Sequence, residues 1–346
     1  MSDLLEADPT PAEPTTRESV LRVQDLHVTY EGRRGRAPVR AVDGVSFDVR
    51  AGEVLALVGE SGCGKTSIAR AVMRLVEPAA GRIVFNGREI THLSGRALRP
   101  IRAGMQMVFQ DPYESLDPRQ SVFDLVAEPL AIHGRARDPS ERRSAVYGAL
   151  ERAGLHPPTS IARRYPHHLS GGQRQRVAIA SAMVLEPSLV VADEPVSMLD
   201  VSLRAGILQL MLELRQRRDL AYLFITHDLS LAWVVADRIA VVYLGRIVEI
   251  GPAAEVIGAP RHPYTKALVS VIPVPESGAA AEQLVLSGET PSARSVPEGC
   301  RFHPRCWRSK ELSRPPECSS IDPALQGDRH LVACHFALDD QAGEAT

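Results

Sequence analysis

The stretch EVLALVGESGCGKTSIARAVMRLV, residues 53–76, decides the fold, and its centre is GESGCGKT, Gly59 to Thr66. The centre fits the phosphate-binding pattern G-x-x-x-x-G-K-[ST]. The apolar run before it reads as a buried strand, and the spacing after it as a helix. An ordinary strand-to-helix turn is the bland alternative, and this context leaves it little room. Gly59, Gly62 and Gly64 let backbone N–H groups curl around phosphates at the positive end of a helix. Lys65 is expected to reach the β- and γ-phosphates, and the Thr66 hydroxyl to ligate Mg²⁺. Glu60, Ser61, Cys63 and Ser67 complete the expected nucleotide contacts. Cys63 occupies a variable position, where a small residue is simply tolerated.

Outward from this centre, LRVQDLHVTY and VRAVDGVSFDV read as strands before it. GRIVFNGREI reads as a short strand with an Asn-Gly turn, and MQMVFQ as a further strand ending at Gln110. From about residue 111 to 176 the apolar spacing is helical, so this region reads as a helical insertion. SLVVADE and AYLFITHD then read as strands buried on both faces. RIAVVYLGRIVEIG reads as a hairpin through Leu244 and Gly245. The pattern weakens beyond residue 258, and Pro, Ser, Gly and Ala from 271 to 297 suggest a linker. The expected division is a disordered tail (1–18), an α/β domain (19–258) and an extension (259–346).

Composition excludes several classes. The 346 residues are 44% hydrophobic and 24% charged, an ordinary globular balance. A net charge of -2 gives no electrostatic reason to expect nucleic acid. No apolar run reaches the roughly 20 residues of a membrane span. The N-terminal stretch lacks the basic start and apolar core of a signal peptide. A cytosolic setting follows as the expectation, and there clustered cysteines point to metal or redox chemistry rather than disulfides.

Two further strings carry chemistry. LVVADE delivers Asp193 towards the Mg²⁺ shell and Glu194 opposite the γ-phosphate, as base for an attacking water. Alone, such a run could simply mark a strand leaving the core; beside the phosphate loop it is specific. LSGGQRQRVAIASAMV, residues 169–184, opens a long helix with a serine and two glycines. That is a second anion-binding helix terminus, or else a plain serine cap. A chain with one phosphate loop has use for two such termini if the second serves a nucleotide held by another subunit.

Phosphate loop, LSGGQ and LVVADE, in that order, resemble the ATP-binding subunit of an ABC transporter, over about residues 20–258. The resemblance implies an α/β fold: a P-loop NTPase of the ABC type with a helical subdomain and a small irregular cysteine-containing extension. It implies that Tyr30 stacks on adenine. It also implies that Gln110 touches Mg²⁺ and senses the membrane partner, and that His227 contacts the γ-phosphate. Ser197–Asp200 resembles a loop that crosses a dimer interface, with Met198 where the family more often has Ala. Ser170, Gly171, Gly172 and Gln173 would complete the nucleotide of a second subunit. QDPYESLDPR, YPHHLSGGQRQR and RHPYTKALVSVIP resemble the oligopeptide and dipeptide importer branch, although Asp117 stands where Asn is expected. That branch implies a second, paralogous ATPase, two transmembrane permease subunits and an extracytoplasmic solute-binding protein, with this subunit peripheral on the cytoplasmic face. A non-transport ABC ATPase acting on nucleic acid or ribosomes is the main rival. GTPases and small-molecule kinases share only the phosphate loop.

The same branch carries four cysteines in a C-terminal extension, and HPRC and HLVACH resemble it. Cys300, Cys306, Cys318 and Cys334 are spaced C-x₅-C-x₁₁-C-x₁₅-C. The spacing lacks the C-x₂-C pairs of zinc ribbons. A [4Fe-4S] cluster is the first expectation, with zinc and free thiols as alternatives. His303, His330 and His335 lie near enough in sequence to replace a ligand.

Overall fold

The computed structural model describes residues 18–32, 37–111, 115–216, 219–272, 283–286 and 288–338. The expected disordered tail lies outside these residues, apart from Glu18.

Eleven strands are seen among the described residues: β1 Ser19–Tyr30, β2 Val39–Arg50, β3 Val54–Val58, β4 Ala80–Phe85, β5 Arg88–Glu89, β6 Met105–Val108, β7 Leu189–Asp193, β8 Ala221–Thr226, β9 Arg238–Tyr243, β10 Arg246–Pro252 and β11 Leu331–Val332. They form a seven-stranded sheet in the order β11-β10-β9-β3-β8-β7-β6 and a four-stranded sheet in the order β2-β1-β4-β5. The centre of the large sheet is parallel: β3 runs with β8 and β9, and β7 with β6 and β8. The small sheet is antiparallel.

The apolar runs of β3, β7 and β8 are buried at every position. Covering a parallel sheet on both faces demands this, because each side chain meets a layer whichever way it points. In β3, Val54, Ala56 and Val58 face a core shared with the helices Val122–Ile132, Pro139–Arg152 and Gly171–Met183. Leu55 and Leu57 face the second core, shared with the small sheet and the helix Lys65–Val72. The period of two thus sorts one strand between two cores. The carboxyl ends of β3, β7 and β8 converge, and open α/β sheets bind ligands there.

One reading of the sequence needs correction, and one region holds more structure than its pattern suggested. MQMVFQ is not a strand to its end, because β6 pairs with β7 only as far as Val108 opposite Ala192. Phe109 and Gln110 lie beyond the ladder, and Phe109 is exposed. Beyond residue 258, where the sequence pattern weakens, the extension packs on the sheet. β11 pairs antiparallel with β10, Glu249 opposite Val332. Tyr264, on the helix Pro263–Val269, and Phe302 are fully buried against Tyr243, with ring centroids 4.8 and 5.3 Å from it. Edge and tilted packing of three rings gives this region a strong apolar anchor. The predicted hairpin is present: Leu244 and Gly245 both have positive φ, as a two-residue turn between twisted strands requires.

Candidate active site

The phosphate loop packs closely against neighbouring backbone at its glycines. A Cβ on Gly59 would stand 2.2 Å from the Val242 carbonyl oxygen, and one on Gly64 would stand 2.3 Å from that of Ala41. Gly64 also has φ +110°, a conformation costly for any other residue. It precedes the helix Lys65–Val72, whose N-terminus has no side-chain cap. The first N–H groups of that helix therefore remain for a ligand. Lys65 is buried, and its Nζ donates to the carbonyls of Gly59 at 2.6 Å and Glu60 at 3.0 Å. Among its described partners there is no carboxylate, so its charge is left for the anion. Cys63 is buried beneath the loop, and burial raises its thiol pKa. Ser61 and Gly62 are exposed at the rim. Tyr30, at the end of β1, donates its hydroxyl to Ser67 Oγ at 3.2 Å.

The end of β7 brings the acids to the same place. Thr66 Oγ1 donates to Asp193 Oδ1 at 3.3 Å. Burial raises the Asp193 pKa; the Thr66 bond opposes this, and the Glu194 charge adds to it. A hydroxyl and a buried carboxylate side by side are oxygen donors suited to Mg²⁺. Glu194 lies just past the strand with φ 48°, a left-handed conformation rare outside glycine. Its backbone N–H donates to the Ile225 carbonyl at 2.9 Å, which fixes the turn. Its two carboxylate oxygens are held separately. Gln110 Nε2 donates to one at 3.1 Å, and His227 Nδ1 lies 3.0 Å from the other. The sequence therefore brings Lys65, Thr66, Asp193, Glu194, Gln110 and His227 together from four loops. Gln110 bonds here to Glu194 rather than to the Thr66–Asp193 pair.

Ser170 bonds within its own helix. Its Oγ accepts from the Gln173 backbone N–H at 3.3 Å, and Gln173 Oε1 accepts from the Ser170 N–H at 3.2 Å. This reciprocal capping box starts the helix Gly171–Met183. Ser170 is exposed and Gly172 is buried against Leu203. Within one chain Ser170 therefore acts as a helix cap.

The four C-terminal cysteines line one cavity, together with His303 and His335. Burial raises the thiol pKa of Cys300 to about 11 and of Cys334 to about 12, and the neighbouring cysteines add to both. Yet among the described residues no group of three or more His, Cys, Asp or Glu is placed to hold a metal ion. The expectation of a cluster or of zinc gains no support from this geometry. His330 is not at the cavity: its Nε2 lies 2.6 Å from the buried Glu249 carboxylate.

The sequence reading missed the residues that grip the phosphate loop from the extension. Arg305 donates to both oxygens of Glu60, at 2.9 and 3.1 Å, and Thr290 donates to the same carboxylate. The Glu60 backbone N–H donates to the Tyr264 hydroxyl at 3.0 Å. Arg305 and Tyr264 fall in the strings HPRC and RHPYTKALVSVIP, which were read as marks of the importer branch and its extension and not as partners of the phosphate loop, and Thr290 carried no signal.

Comparison with known proteins gives a consistent set of likenesses. Residues 42–197 match the family model described as ABC transporter. Residues 248–312 match the one described as oligopeptide/dipeptide transporter, C-terminal region. That second match stops short of Cys318 and Cys334. The chain is 44% identical over 330 residues to the oligopeptide transport ATP-binding protein AppF of Bacillus subtilis, covering 92% of this chain and 98% of the relative. It is 45% identical over 325 residues to the di/tripeptide transport ATP-binding protein DppF of Pseudomonas aeruginosa, with 92% and 98% covered. A dimeric, post-hydrolysis structure of the ATP-binding cassette MJ0796 bound to ADP and Pi superposes with a TM-score of 0.61 at 28% identity, covering 67% of this chain and 98% of that one. The cbiO1 structure from Clostridium perfringens gives 0.61 at 29% identity, with 69% and 91% covered.

Proposed function

We propose, from the premise that this chain belongs to the ABC transporter family in its oligopeptide/dipeptide branch, that it powers peptide import through separate membrane proteins. Its fold is that of an ABC-type P-loop NTPase, and it is an ATPase. Among its described residues no helix is long and apolar enough to cross a membrane, and the relatives are named as ATP-binding proteins of peptide transport. Two permeases, a second and paralogous ATPase and an extracytoplasmic solute-binding protein form the proposed complex, with this chain peripheral on the cytoplasmic face. Both relatives are named for peptide transport, which favours this reading over an ATPase working on nucleic acid or ribosomes.

One observation carries the mechanism: Glu194 is held from both sides by Gln110 and His227, next to the Thr66–Asp193 pair. Lys65 and the N–H groups around Gly59–Thr66 bind the β- and γ-phosphates, and Tyr30 supports the adenine. Thr66 and Asp193 would hold Mg²⁺, which neutralises phosphate charge when bound. Glu194 takes the proton of the attacking water at a carboxylate oxygen. His227 and Gln110 fix that carboxylate, and His227 also faces the γ-phosphate. Ser170, Gly171, Gly172 and Gln173 complete the nucleotide of the facing subunit. Domains divide accordingly: an ATPase unit over 19–258, with its helical part near 111–176 as docking surface, and an extension over 259–346.

Glu194→Gln tests the assignment. Hydrolysis should fall by about a hundredfold or more, with ATP binding retained. Undiminished turnover would remove Glu194 from the role of base.

Cys300, Cys306, Cys318 and Cys334 are proposed to act as one set, with a [4Fe-4S] cluster as occupant. The reading rests on the resemblance of the extension and on the cavity the four share, not on a ligand geometry, which the described residues do not show. A single zinc would draw four sulfurs to about 2.3 Å from one point, a tighter gathering than a cluster requires. Protein purified without air should carry stoichiometric iron and acid-labile sulfide. Colourless protein with neither would end this reading.

A further inference from the structure

Glu60 occupies a variable position of the phosphate loop, yet it is the most heavily anchored residue there. Three groups from beyond residue 258 converge on it. Arg305 forms a two-pronged pair with its carboxylate. Thr290 donates to the same carboxylate. Tyr264 accepts from its backbone N–H. The Glu60 carbonyl in turn accepts from Lys65 Nζ at 3.0 Å. One residue thus links the extension to the ammonium that faces the phosphates.

Arg305 is built in rather than draped across. It is 7% exposed. Its Nη1 also bonds Thr290 Oγ1 at 3.1 Å and reaches the Tyr243 hydroxyl at 3.4 Å. Its guanidinium lies over the Tyr243 ring, 6.0 Å from the centroid. Burial is the largest single influence on Arg305 and opposes its charge, but the bonds and charges of Glu60 and Tyr243 together raise its pKa; on Glu60 burial likewise opposes the charge, and Arg305, Thr290 and Lys65 together lower the pKa. A planar fork matched to a carboxylate fixes direction as well as distance. A second brace lies alongside. Arg301 donates to the Leu244 carbonyl and to Asp43. The next residue, Gly245, donates its N–H to the Cys63 carbonyl at 2.7 Å. Both arginines sit in the segment bounded by Cys300 and Cys306.

We propose that Arg305 is a positioning residue for the nucleotide: by pinning Glu60 it holds the first turn of the phosphate loop in its anion-binding shape, so that affinity for ATP depends on the C-terminal extension. The inference rests on the ATPase reading above. Arg305 touches no reacting atom, so its effect falls on ATP affinity and spares the chemical step.

The test uses the full chain with Arg305→Ala, Arg305→Lys and Glu60→Gln, reading KM for ATP, kcat, and binding of a non-hydrolysable ATP analogue. Arg305→Ala should raise KM and weaken analogue binding about tenfold, within the range usual for coupled sites, with kcat changed less than about threefold. Arg305→Lys should recover part of the affinity, since it keeps the charge and loses the fork. Glu60→Gln should reproduce the Arg305→Ala effect, and the double variant should add nothing to it. If the Arg305→Ala protein fails to fold, the Glu60→Gln and Arg305→Lys measurements decide alone. Unchanged KM in folded variants, or a fall confined to kcat, would overturn the proposal. Absence of ATP hydrolysis in the unaltered protein within its complex would instead overturn the ATPase reading itself.

Discussion

Two helix N-termini of this molecule invite comparison. One opens at Gly64 and the other at Ser170, and both lie in glycine-containing strings expected to meet phosphate. The first has no side-chain cap and is surrounded by Lys65, Thr66, Asp193 and the braced Glu60. The second has a complete capping box, is exposed at Ser170, and has Gln173 of its own helix as partner. A helix end that satisfies itself is stable without a ligand; one that does not is held open for one. On the proposed function, the first terminus is the half of the site that a single chain completes, and the second is the half it offers to a facing subunit.

That comparison can be broken most severely at Gly64. Gly64→Ala forces a Cβ into the Ala41 carbonyl at a positive φ. The strain of about 3 kcal/mol corresponds to about a hundredfold in affinity, and titration with an ATP analogue reads it. The smaller, tenfold effect expected for Arg305→Ala sharpens the same point, because that variant leaves the loop's own backbone chemistry intact.

Most of the first terminus was legible in the sequence, because local constraints wrote it. A buried apolar strand, a glycine that must adopt positive φ and a Lys-Thr pair leave few conformations. LVVADE was legible for a similar reason: burial on both faces forbids polar residues until the strand ends, so Asp193 and Glu194 announce where it ends. The hairpin at Leu244–Gly245 followed from turn geometry. What the sequence hid is long-range. Glu60 and Arg305 lie 245 positions apart, and no periodicity relates them. β11 has two residues, too few for any alternation to register. Phe302 reads as an isolated aromatic in an irregular segment, yet it closes the core against Tyr243 and Tyr264. The cysteines are the intermediate case. Their clustering was plain, but spacing alone separates no occupant from another, because the ligand distances are set by the tertiary fold.

ATP turnover by the Ser170→Arg protein in its assembled transporter complex tests the central claim most directly, with Ser170→Thr as a control that keeps the cap. A site completed across a subunit boundary predicts that turnover falls at least about tenfold, while the chain's own phosphate loop still binds nucleotide. Full-speed hydrolysis by the Ser170→Arg protein, or by an isolated monomer, would contradict it.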